Sequence, residues 1–150
     1  MAGDHEAALV SFMDSYDGRL RGALQWADFD RLWQRLAERA DDGWYVYAVG
    51  EPVPVAPVAR ADWLRALDAV AALLRKDHDE SYCGIVFADS LDAPTFVKVF
   101  DPNNLGASCG SSGVRVLPGW VFSRVPPVHL QPPVALTASR RRWWRALLGG

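Results

Sequence analysis

The sequence predicts an α+β fold: a small antiparallel sheet of about four strands covered by N-terminal and central helices, with a short C-terminal helix. Three observations carry that prediction. Apolar residues recur at helical spacing through most of the chain before residue 78, with one strand-like run at Trp44–Val49. Short β-branched and aromatic runs then follow one another between Tyr82 and Val125. Helices and strands are thus largely segregated rather than alternating as βαβ units, which is the α+β pattern.

The first forty residues read as helix. Ala7, Ala8, Phe12, Tyr16 and Leu20 approximate one apolar stripe, interrupted near Gly18 and Gly22. Trp26, Phe29, Leu32, Trp33 and Leu36 give a clearer 3.6-residue pattern. Asp28 and Asp30 near its start and Arg35 and Arg39 near its end suit the helix dipole. Asp41-Asp42-Gly43 ends it, and Trp44–Val49 is a strand of aromatic and β-branched residues.

Glu51 to Val58 carries Pro52, Pro54 and Pro57. Proline cannot donate to a ladder, so this stretch reads as an extended connector along a sheet edge. A helix from about Arg60 to Asp77 follows, with Trp63, Leu67, Val70 and Leu74 on one face. Tyr82–Ala88 and Thr95–Phe100 read as an antiparallel hairpin, and Val114–Leu117 and Gly119–Val125 supply further strand. Pro126-Pro127 and Pro132-Pro133 flank a linker-like segment, and a helix from about Ala138 to Leu148 closes the chain. Residues 1–138 therefore read as a single domain and 139–150 as a basic aromatic helix or tail.

Composition narrows the class. The 150 residues suffice for one domain with a real core, and half of them are hydrophobic. Seven tryptophans imply a large aromatic core or an aromatic partner face, and burial is the general preference. The net charge of −2 makes no case for nucleic acid as a partner. The charge is uneven, however: residues 140–145 hold four arginines and no acid, so the remainder is acidic. Two cysteines are too few for a disulfide framework. No secretory h-region and no apolar run long enough to span a membrane is present, so a cytoplasmic protein with reduced thiols is expected.

The most informative stretch is Phe100–Gly113, FDPNNLGASCGSSG. Gly106, Gly110 and Gly113 permit repeated turns that aim several N–H groups at one point. A connection of this length exceeds what a hairpin needs, and such loops tend to carry function.

Cys109 and His129 give the sharpest enzymatic expectation. Cys109 would be a nucleophile with His129 as its base, Asp101, Asn103 or Asn104 as orienter, and loop N–H groups as oxyanion donors. The two meet only if the chain between them folds back. A metal site from Cys83, Cys109, His78 and His129 lacks ligand spacing, and no metal or other cofactor is expected. GASCGSSG has no GK[ST] and precedes a strand, so it does not read as a nucleotide-phosphate loop.

In SRRRWWRALLGG, Trp143, Trp144, Leu147 and Leu148 lie on one helical side and Arg140, Arg141 and Arg145 on the other. Such a helix docks on a partner, on its own domain, or peripherally on an anionic membrane. The favoured expectation is a non-enzymatic accessory or regulatory module with a protein partner or self-association. Its binding residues are Asp101, Asn103, Asn104, Ser108, Ser111, Ser112, Arg141, Trp143 and Trp144. A thiol-dependent hydrolase or deamidase built on Cys109 and His129 is the alternative.

Overall fold

The computed structural model describes residues 11–78, 80–102, 117–130, 143–144 and 146–147. They form an α+β fold around a five-stranded antiparallel sheet. The strands are β1 (Arg21–Gly22), β2 (Tyr45–Ala48), β3 (Val86–Ala88), β4 (Phe96–Val99) and β5 (Trp120–Ser123), in spatial order β1-β3-β4-β5-β2. The helices are α1 (Trp26–Glu38) and α2 (Arg60–Asp77), with a further helical turn at residues 11–16 and helical backbone at 143–144 and 146–147.

Each helix forms where its apolar spacing predicts. In α1, Phe29, Leu32, Trp33 and Leu36 are buried, and the Asp28 carboxylate accepts the Gln25 N–H at 3.1 Å to satisfy an entering donor. In α2, Trp63, Ala66, Leu67, Val70, Leu73 and Leu74 make the buried stripe. Three indoles fasten these helices. Trp63 donates to the Leu36 carbonyl at 2.8 Å and Trp44 to the Arg39 carbonyl at 3.0 Å, adding a second donor to carbonyls that also accept the Arg39 and Asp42 N–H groups where α1 ends. Trp33 donates to the Leu67 carbonyl on α2 at 2.8 Å.

The pleat divides the sheet residues between two cores. Val46, Ala48, Val86, Ala88, Val97, Val99, Trp120 and Phe122 face α1 and α2 in the main core. Tyr47, Val49, Phe96 and Val121 face the opposite way, where Phe12, Tyr16 and Leu130 cover them. The second face is therefore closed by the turn at 11–16 and by the chain after β5.

Three sequence expectations shift. The interruption expected near Gly18 and Gly22 is more than a break in helix: Arg21–Gly22 pairs with Phe87 and Ala88 as a fifth, edge strand. Two residues are too few for any periodicity to reveal. The strand expected from Tyr82 begins only at Val86, because Gly84 takes a φ of 70° and interrupts the extended backbone. The segment beginning at Pro126-Pro127 is no free linker over its described part, since Pro127 and Leu130 are buried on the second face. The expected strand at Val114–Leu117 falls, except for Leu117, outside the described residues.

Candidate functional site

β4 ends and β5 begins as antiparallel neighbours, with Val99 opposite Trp120, so residues 100–119 connect them at one end of the sheet. Asp101 and Gly119 form the described base of that connection. The carboxylate residue is buried, at 3 % exposure. A Cβ on Gly119 would lie 3.1 Å from the Asp101 Cβ, so glycine here lets the two backbone limbs close together. Gly119 also ties the base to both flanking strands, donating to the Val99 carbonyl and accepting from the Val49 N–H, each at 2.9 Å.

The tail reaches the same end. Trp120 follows Gly119 and points into the main core, where its ring meets Trp143 and Trp144, both at 6.0 Å between centroids. Trp144 is buried at 7 % exposure, whereas Trp143 is half-buried beside α2. A shallow open cleft of about 250 Å³ lies there, lined by Ala69, Ala72, Leu73, Lys76, Asp77 and Trp143. The Arg65 guanidinium approaches the Leu147 carbonyl at 3.4 Å, so the helical tail residues run back along α2.

His129 is exposed. Ser123 turns the chain after β5, its hydroxyl accepting the Val125 N–H at 3.1 Å and donating to the Val125 carbonyl at 2.8 Å. The chain then doubles back over the second face, and the Leu130 N–H reaches the Tyr47 hydroxyl at 2.9 Å. Tyr47 lies opposite Val121 in register. The chain after β5 thus folds back at Ser123–Val125 and carries His129 over the second face. Cys109, Asn103, Asn104, Ser108, Ser111, Ser112 and Arg141 lie outside the described residues.

Sequence reasoning missed that Asp101 is enclosed rather than presented, and that Trp144 fills core. The signal for the second was present in the burial preference of tryptophan. Among the described residues no three of His, Cys, Asp and Glu gather as a metal site, and no helix is long and apolar enough to cross a membrane. Comparison with protein-family models, curated proteins and solved structures finds no match.

Two buried acids respond to this packing. Burial pushes the Tyr47 phenol above its ordinary value, with the Leu130 N–H opposing it. Burial likewise raises the Cys83 thiol, against backbone hydrogen bonds from Ile85 and Val86 and the charge of Arg75. A raised folded pKa means that the unfolded chain loses its proton first. Stability is therefore intact below the unfolded values and falls as pH rises past about 9 for the thiol and about 10 for the phenol. Urea midpoints are expected to be level to pH 8 and to decline above pH 9. Cys83→Ala should remove the early part of that decline and Tyr47→Phe the later part; unchanged slopes would contradict the assignment.

Proposed function

We propose that the protein is a small accessory or regulatory binding module. Its contact surface combines the Asp101–Gly113 loop, with buried Asp101 at its base, and the tail with Arg141 and Trp143. The observation that supports this reading is Trp120. Its own strand leads from the loop base at Gly119, and its ring packs against both tail tryptophans. The base of the loop and the tail tryptophans therefore lie at one place in the fold. Trp143 supplies the partly exposed aromatic surface that anchors partner contacts, and Trp144 holds it in place from inside the domain.

The test is affinity capture from the native cell extract with wild type and Trp143→Ala side by side. A stoichiometric protein held by the wild type and lost by a folded Trp143→Ala variant is expected. An empty capture, or one that the variant leaves unchanged, would remove the reading.

A second reading is supported by the return of His129 across the sheet. In it, Cys109 is a nucleophile activated by His129, in a hydrolase or deamidase. Cys83 provides the internal control, because it is fully buried and its thiol is raised by that burial. Alkylation followed by mass spectrometry across a pH series reads both cysteines in one sample. A Cys109 midpoint well below Cys83, returning to the ordinary range in His129→Ala, favours the enzyme; an ordinary Cys109 thiol retires it.

A further inference from the structure

The two edges of the sheet are finished differently. Along β2 the chain closes its own edge: Val58 donates to the Trp44 carbonyl at 2.9 Å and Glu51 to the Ala48 carbonyl at 3.0 Å. Pro52, Pro54 and Pro57 lie between these bonds and offer no N–H to an incoming strand. β1 is the other terminal strand, and no described strand lies beyond it. Ala23 turns its N–H to the Val86 carbonyl at 2.8 Å and its carbonyl to the Gly84 N–H at 3.0 Å. Strand alternation then turns the N–H and carbonyl of Gly22 outward.

The side chains around that open edge share a pattern. Arg31, Arg35, Arg39, Arg60, Arg65 and Arg75 each face a carboxylate. Arg19, Arg21 and Arg124 are exposed and make no ion pair among the described residues, and Arg19 and Arg21 lie at this edge. Next to them stand two exposed large apolar side chains, Leu24 at 62 % and Tyr82 at 51 %. The Cys83 N–H to Leu24 carbonyl bond, 2.9 Å, holds these two segments side by side.

The faces are also sorted. Arg21 pairs with Ala88, a residue of the main-core face, while Gly22 pairs with Phe87 on the alternate face. The Leu24 side chain leans towards Gly22, its Cδ2 lying 3.6 Å from where a Cβ would be. Arginine thus lies on one side of the edge and leucine on the other. A short charged edge is also the device that prevents strand addition. That device needs charge alone, whereas exposed Leu24 and Tyr82 beside it make association more favourable.

We propose that the β1 edge is a docking site for an extended acidic segment of a partner protein, added to the sheet as a sixth strand. The segment bonds to the Gly22 backbone and places carboxylates towards Arg19 and Arg21. Its alternate apolar side chains lie against Leu24. Charge selects an acidic partner over a second copy of this chain, because self-pairing brings the same arginines together. This surface is separate from the Trp143 surface, and neither proposal depends on the other.

The probes are two synthetic peptides of about nine residues, a usual strand length, one alternating Glu with Val and one alternating Lys with Val. Titration into 15N-labelled full-length protein is followed at the Gly22, Leu24 and Tyr82 amides. The Glu–Val peptide is expected to shift these amides, with a Kd below about 1 mM that weakens with added salt. The double variant Arg19→Glu/Arg21→Glu, with unchanged circular dichroism, should weaken it by about tenfold or more, equivalent to about 1.4 kcal/mol. The Lys–Val peptide should leave the amides in place. No binding, equal binding of both peptides, or shifts confined to other residues would overturn the proposal. A dimer in light scattering that Leu24→Glu dissolves would overturn it in favour of a second copy.

Discussion

Trp63→Ala is expected to remove about 4 kcal/mol or more of stability, the upper range for a large-to-small core change. Trp63 is fully buried and joins three layers of contact at once. Its ring stacks on Trp44 at 4.8 Å and 9° and meets the edge of Phe122 at 5.3 Å and 74°. Its indole N–H satisfies the Leu36 carbonyl at 2.8 Å, at the C-terminal end of α1. Alanine leaves a cavity between α2 and the sheet and removes one of the two donors to the Leu36 carbonyl, which keeps the Arg39 N–H. Against a typical total of about 5–15 kcal/mol, that is a large fraction of the stability. Trp63→Phe separates the two contributions, because it keeps most of the apolar volume and loses only the donor. About 1 kcal/mol is expected for it, the net contribution of one hydrogen bond. Urea melts of both variants check the pair, and a Trp63→Ala midpoint within error of wild type would refute the account.

These same contacts show how far the sequence could be read. α2 was legible to its ends, because an eighteen-residue helix repeats its apolar face several times between a proline-rich start and a charged finish. β2, β4 and β5 were legible because runs such as Tyr45–Ala48 are dense in residues that fit a pleated, half-buried surface. β1 was not, since Arg21-Gly22 acquires its strand character only by pairing with Phe87 and Ala88. That information lies more than sixty positions away in the chain. The segment from Val125 to Leu130 failed for a related reason. Its prolines indicate an absence of regular hydrogen bonding, but not that Leu130 will be tied to the Tyr47 hydroxyl. At the candidate site, tryptophan content announced an aromatic core without saying which rings compose it. Five of the seven, Trp33, Trp44, Trp63, Trp120 and Trp144, prove buried, and only Trp26 and Trp143 keep partial exposure.

Trp144→Ala is expected to destabilise the domain by about 3 kcal/mol, while Trp143→Ala costs about 1 kcal/mol or less. The two residues are adjacent and chemically identical, so the contrast rests on position alone. Trp144 is 7 % exposed, belongs to the main core and lies 6.0 Å from Trp120. Removing its ring uncovers Trp120 next to Gly119, at the base of the glycine-rich connection. Trp143 reaches Trp120 edge-on at 71° and keeps part of its surface in solvent beside Ala72 and Lys76. Chemical denaturation of the two variants, with near-ultraviolet circular dichroism to follow the tryptophan cluster, decides the matter. Equal losses would mean that the tail packs as a unit, and no loss from either would mean that it does not contribute to the core. The expected asymmetry constrains how partner binding can be tested. Deleting residues 139–150 would remove Trp144 along with every other tail group, so lost binding could reflect a damaged core. Trp143→Ala leaves Trp144 seated on Trp120 and changes only the aromatic group that faces outward.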